Sequence, residues 1–188
     1  MTETANSTAA TSMARRKVWL KRIFDIGLSL IAIVILAPLI ITVSFLLLLV
    51  QGSPLLESDR RTGRGGIAFS RFKFKTRDKD EGLSAFGYIL RRTNIDELPQ
   101  LLNVLRGDMS FVGPPPAIAI ESDESEADNL RVAIRPGIAC PWKAEAEKAN
   151  VARIELIGVY VRTWTLRADI AVLLRAMAMP HGSGNATL

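Results

Sequence analysis

Residues 26–50 read IGLSLIAIVILAPLIITVSFLLLLV, a charge-free apolar run with one proline, Pro38, at its centre. As a single helix this run would extend about 37 Å, enough to cross a hydrocarbon core of roughly 30 Å. It is too long for the apolar region of a signal peptide, and no small-residue cleavage site follows it. The stretch therefore makes the chain a membrane protein.

How the run sits in the bilayer is decided by its flanks. Arg15, Arg16, Lys17, Lys21 and Arg22 precede it, and Arg60, Arg61, Arg64, Arg71, Lys73, Lys75 and Arg77 follow it. Basic residues favour the cytoplasmic side, and a true span has only one cytoplasmic end. Pro38 removes a backbone hydrogen bond in mid-helix and bends it. A re-entrant helix that breaks at Pro38 and returns to the same face satisfies both basic flanks, with Thr42 or Ser44 hydroxyls serving freed backbone groups. A single span satisfies the length equally well, so the residues alone leave both topologies open. Asp25 is expected at the interface beside Lys21 or Arg22.

Beyond the run, Gly52-Ser53-Pro54 ends the apolar element. Ile67 to Thr76 reads as one arm of a short hairpin with Gly63, Gly65 and Gly66 near its turn. Lys73 and Lys75 then share one face and Phe72 and Phe74 the other, although a solvated basic strand has the same pattern. Helical periodicity covers Leu83 to Leu90 and Asp96 to Leu105, closed by Gly107. Gly113-Pro114-Pro115-Pro116 is a stiff connector, Glu121 to Asp128 an exposed acidic stretch, and Arg135-Pro136-Gly137 a turn. Val151 to Met179 reads as one or two short helices carrying Tyr160 and Trp164.

The chemistry concentrates in Leu90-Arg91-Arg92-Thr93-Asn94-Ile95-Asp96-Glu97-Leu98-Pro99-Gln100-Leu101. Pro99 fits the first turn of a helix beginning near Asp96, where the helix dipole would hold the carboxylate ionised. An ionised Asp96 can act as a nucleophile or bind a divalent metal, and Glu97 can position or shuttle a proton. An N-capping Asp with a solvated Glu is the alternative for the same residues.

Composition narrows the remaining classes. At 188 residues the chain builds one domain. Mean hydropathy of +0.20 is high for a soluble domain, and the net charge of +5 with a pI near 9.7 suits anionic headgroups and phosphorylated substrates. No nucleic-acid module is recognisable, so nucleic acid is not expected as a partner. The single cysteine, Cys140, excludes an internal disulfide. His181 is the only histidine and lies in a Gly- and Ser-containing tail, so proton transfer falls to carboxylates.

The stretch FGYILRRTNIDELPQLLNVLRGDMSFVGP (86–114), with Lys21-Arg22-Ile23-Phe24-Asp25, Phe72-Lys73-Phe74-Lys75-Thr76 and Arg135-Pro136-Gly137-Ile138, closely resembles the bacterial sugar transferases. These are small monotopic phosphoglycosyl transferases acting on polyprenol phosphate, and the resemblance covers roughly residues 17 to 179. It implies a mainly helical α+β fold, with a re-entrant membrane helix and a small catalytic domain on the cytoplasmic face of the bacterial inner membrane. The segments are then a disordered N-terminus (1–14), the re-entrant helix (15–51), a sugar-phosphate transferase domain (52–179) and a tail (180–188). The activity implied is transfer of a sugar-1-phosphate from a UDP-sugar to undecaprenyl phosphate, with UMP as the second product. This step initiates exopolysaccharide or glycoconjugate synthesis. Asp96 would be the nucleophile and hold Mg²⁺, with Glu97 assisting. Arg61, Lys73, Lys75, Arg91 and Arg135 would contact substrate phosphates. The resemblance leaves room for a homodimer.

Several positions depart from the family pattern. Pro115 stands where an arginine is usual, Asp59 replaces a Gln, Arg77 a Met, and Ile157 an Asp; Lys75 takes a place often held by Arg. The loop after Ile138 is altered at Ala139-Cys140 and from Lys143 to Glu147. Loss of a bidentate phosphate donor at 115 requires another cation, for which Arg135 and Lys143 are the expected candidates. A divergent membrane-anchored relative with a binding or regulatory role is the alternative function.

Overall fold

The computed structural model of the chain describes residues 2–77, 82, 84–118, 134–140, 160 and 164–178. Helix α1 (Thr2–Val50) carries the apolar run and passes through Pro38. It reaches back over residues 2–14, for which composition suggested disorder. Extending a formed helix costs far less than nucleating one, and Ala5, Ala9, Ala10 and Ala14 favour the extension. Thr42 Oγ1 donates to the Pro38 carbonyl and Ser44 Oγ to that of Ile40, back-bonds within the helix; neither reaches the Val34 carbonyl, which Pro38 leaves without its helical donor.

Strands β1 (Leu56–Thr62) and β2 (Ala68–Phe74) form the expected antiparallel hairpin, its loop holding a 3-10 turn at Arg64–Gly66. Helices α2 (Ala85–Arg92) and α3 (Gln100–Arg106) follow, joined through a 3-10 turn at Ile95–Glu97. Gly107 closes α3 with φ of 96°, a left-handed conformation that glycine adopts without strain. Strands β3 (Ser110–Val112) and β5 (Gly137–Ala139) pair in parallel. The short β4 (Ala117–Ile118) joins β1 to complete a sheet of order β2-β1-β4. Helix α4 (Leu166–Ala178) accounts for the C-terminal part of the helical expectation over 151–179. The acidic stretch 121–128 and the altered loop 143–147 lie outside the described residues.

Both ends of the apolar helix pack on one body. Near its start, Arg22 donates to the Val104 and Leu105 carbonyls at the end of α3. Asp25 is buried, accepting from Ser110 Oγ and the Phe111 N–H, with Lys21 near enough to act on it electrostatically, as expected. Hydrogen bonding by β3 offsets the desolvation that would otherwise keep a carboxylate near water. Lys21 pairs with Asp169 of α4, which also accepts from Tyr160 Oη and Trp164 Nε1. Near the other end, Val43 and Leu47 join Phe74 and Leu90 in the core, with Ile40, Leu55, Phe86, Ile95 and Leu98 around them. Between Ser29 and Val43, about 21 Å of helix, no side chain of α1 is buried. Leu30, Ile31, Val34, Ile35 and Ile41 are exposed there, and the most apolar window, with mean hydropathy 3.0, is only 11% buried.

Helix α2 is seated by a close backbone approach. Ser84 caps it, accepting from the Gly87 N–H, while Ser84 Oγ donates to the Thr76 carbonyl and receives Gln51 Nε2 from the end of α1. A Cβ on Gly87 would lie 2.0 Å from the Thr76 carbonyl oxygen. That atom belongs to the backbone and cannot swing away. Gly87→Ala is therefore expected to destabilise the fold by about 3 kcal/mol, overriding the roughly 1 kcal/mol by which alanine favours a helix interior. Chemical denaturation in detergent checks this; a stability equal to wild type would show that α2 can back away without loss.

Candidate active site

The chain enters the dyad through a turn that its residues dictate. Helix α2 stops at Thr93, whose hydroxyl folds back on the Ile89 and Leu90 carbonyls. Asn94 then takes a left-handed conformation, φ 54°, which asparagine tolerates better than most residues. The Glu97 N–H bonds to the Asn94 carbonyl and closes the 3-10 turn holding Asp96 and Glu97. Pro99 follows at the cap of α3 with φ −61°. The helix proper thus begins at Gln100, later than the sequence pattern suggests.

Asp96 is 5% exposed, and its Oδ1 has no hydrogen-bond partner among the described residues. Lys73 of β2 brings its ammonium 3.0 Å from Glu97 Oε1 and 3.9 Å from Asp96 Oδ2. Burial pushes the Asp96 carboxyl above the ordinary carboxylate range; Lys73 and Arg91 oppose this, and Glu97 adds to it. A helix dipole, the expected influence on Asp96, is therefore not what acts on it. α3 starts beyond the carboxylate, and desolvation outweighs the nearby positive charges. Asp96 thus presents a buried carboxylate oxygen with no partner among the described residues, with Lys73 and Arg91 the cations acting on it.

Asn103, which sequence reading passed over, sets this geometry. Fully buried on α3, it donates from Nδ2 to the Ser70 carbonyl and accepts at Oδ1 from the Phe72 N–H. Its amide thus takes the place of a neighbouring strand along the edge of β2. This clamp fixes α3, and with it the preceding turn, over the strand that carries Lys73. An asparagine within an apolar helical pattern was the available signal.

The other expected phosphate contacts are distributed unevenly. Arg91, exposed on α2, donates Nε to Thr76 Oγ1 and lies close enough to act electrostatically on Asp96. Lys75 follows β2, its N–H bonded to the Leu55 carbonyl. Arg61 is held elsewhere: β1 pairs Glu57 with Lys73 and Arg61 with Phe69, about 13 Å further along the strand. There Arg61 and Arg71 share Asp59. Burial would raise the Asp59 carboxyl, but the Arg71 and Arg61 guanidiniums hold it at about 2. Asp59, in the place of a Gln, thus occupies the arginine expected to face phosphate. Arg135 donates to the Gly107 carbonyl at the far end of α3, about 15 Å of helix from Glu97. Burial and the neighbouring Arg22 and Arg64 lower its pKa. It is not brought to the dyad as a replacement for an arginine at 115, because the β3–β5 pairing carries it to the opposite end of α3. Pro115 itself is exposed.

The chain is 28% identical to the exopolysaccharide production protein ExoY of Sinorhizobium fredii, with 87% of each chain covered. It is 31% identical to an undecaprenyl-phosphate galactose phosphotransferase of Salmonella typhimurium, over 86% of this chain and 40% of that one. Identity is also 31% to a UDP-glucose:undecaprenyl-phosphate glucose-1-phosphate transferase of Caulobacter vibrioides, over 84% of this chain and 68% of that one. The family model for bacterial sugar transferases matches residues 16–181, taking in the apolar helix, Lys73 and the Asp96-Glu97 turn alike. The chain belongs to the bacterial sugar transferase family.

Proposed function

We propose that the protein transfers a sugar-1-phosphate from a UDP-sugar to undecaprenyl phosphate, releasing UMP and initiating an exopolysaccharide or glycoconjugate. The observation that carries this reading is the buried Asp96 carboxylate with one unpartnered oxygen, set beside Lys73 and Glu97. Asp96 attacks the β-phosphorus of the UDP-sugar; the bond from that phosphorus to the bridging oxygen breaks, and UMP leaves with the electron pair. The sugar phosphate remains on Asp96 as an acyl phosphate. An oxygen of undecaprenyl phosphate then attacks the same phosphorus and returns Asp96 to its carboxylate. Lys73 offsets the negative charge gathered by two adjacent carboxylates and the incoming phosphates. Glu97 positions the acceptor phosphate or takes its proton.

The donors present fit Mg²⁺, which binds through one or two carboxylates together with substrate phosphates and water. Asp96 would hold the ion, which when bound neutralises charge on the diphosphate. The activity is tested by incubating purified protein with undecaprenyl phosphate, Mg²⁺ and a panel of UDP-sugars. UMP and lipid-diphospho-sugar are expected in equal amounts with at least one donor. Failure with all of them would favour the alternative of a binding or regulatory relative, which Pro115 and the diversion of Arg61 and Arg135 support.

The same proposal places α1 as a re-entrant helix with the catalytic body on the cytoplasmic face. Three observations support it: the packing of both helix ends on one body, the exposed apolar middle, and the basic residues on both flanks. Single cysteines at Ser12 and Asn185 in a Cys140→Ser background are expected to react with an impermeant maleimide only from the cytoplasmic side. Labelling of position 12 from the outside would establish a span instead.

A further inference from the structure

Four buried side-chain atoms lack a hydrogen-bond partner among the described residues; two belong to Ser29 and Gln51, and the other two are Asp96 Oδ1 and Gln100 Nε2. The backbone from Ile95 to Arg106 stays in the right-handed helical region through Leu98 and Pro99, with Leu98 N–H bonded to Ile95 and Leu101 N–H to Leu98. The bonds along this path run three residues apart, the 3-10 spacing; Gln100 and Asn103, three apart, share a face, and Asp96, one turn earlier, is turned inward with them. Asn103 is 0% exposed and fully engaged with β2, Gln100 is 2% exposed, and Asp96 is 5% exposed.

An unpaired donor and an unpaired acceptor four residues apart, both buried, are unusual, since buried polar groups are nearly always paired. In the proposed transfer, a ligand completes both when it offers an acceptor to the amide and an electrophilic centre to the carboxylate. A tetrahedral phosphoryl group does this. We infer that Gln100 is a further catalytic residue, donating its Nε2–H to an oxygen of the phosphoryl group that Asp96 attacks. The inference rests on the proposed transfer reaction and adds no covalent step, as Gln100 holds charge developing on that oxygen.

The test uses full-length protein with Mg²⁺ and compares wild type with Gln100→Met, which keeps the shape and removes the donor. UMP release is measured, together with the thermal shift caused by beryllium trifluoride, a mimic of an aspartyl phosphate. For Gln100→Met, kcat is expected to fall about a hundred-fold, as on loss of a preorganised donor. KM for the UDP-sugar changes little, the melting temperature is equal or higher, and the beryllium trifluoride shift is lost. Gln100→Glu, which sets a second negative charge against the phosphoryl oxygens, is expected to lose more. Retained kcat, a retained beryllium trifluoride shift, or a rate loss accompanied by a lower melting temperature overturns the role of Gln100. If wild type neither releases UMP nor responds to beryllium trifluoride, the transfer reading falls and this inference with it.

Discussion

Replacing Asp96 with asparagine is expected to abolish transfer while making the protein more stable. The loss should be at least about a thousand-fold, or roughly 4 kcal/mol of transition-state stabilisation, because an amide oxygen cannot form the acyl phosphate. The gain in stability follows from burial. Desolvation raises the folded-state pKa of Asp96 above the 3.8 of an ordinary aspartate, despite Lys73 and Arg91. The folded state therefore holds the proton more tightly than the unfolded chain. Stability is greatest below the unfolded pKa and falls as pH rises through 3.8 to the folded value. Wherever the buried carboxylate is ionised it weakens the fold, and asparagine removes that penalty without changing shape. UMP release and thermal melting of the same preparation check both parts. Wild-type turnover would show that Asp96 is not the nucleophile, and a lower melting temperature would show that burial does not dominate its energetics.

Lys73→Met is expected to lower kcat/KM by about 10²–10³-fold, the usual consequence of losing a charged group aimed at a transition state. Its ammonium lies between the two carboxylates, 3.0 Å from Glu97 and 3.9 Å from Asp96. Without it, Glu97 still raises the Asp96 pKa and the largest opposing influence is lost, so less Asp96 is ionised at a given pH. The acidic limb of the pH–rate profile should therefore move to higher pH, and Lys73→Arg should restore part of both rate and profile. A rate loss with an unmoved acidic limb would mean that Lys73 acts on substrate alone.

Local pattern carried much of this protein. The absence of charge from Ile26 to Val50 marked a long apolar helix, because chemistry of that kind is read residue by residue. Glycines at 63, 65 and 66 marked the hairpin, and Gly107 the end of α3, since backbone conformation at those points depends on a missing side chain. The dyad was legible too, as two adjacent carboxylates in a run with the family's motif. Distance along the chain hid the rest. Lys73 meets Glu97 only because Asn103 clamps α3 along the edge of β2, a contact between residues remote in sequence. Arg61 and Arg135 have the right chemistry for phosphate, yet strand register gives one to Asp59 and carries the other to the end of α3. Asp25 read as interfacial because a charge beside an apolar run belongs near water; β3 supplies the hydrogen bonds that let it be buried. Composition and periodicity thus determined which elements form, since these report local preferences. Which polar groups face one another, and which are left unpaired for a substrate, was decided only when those elements packed.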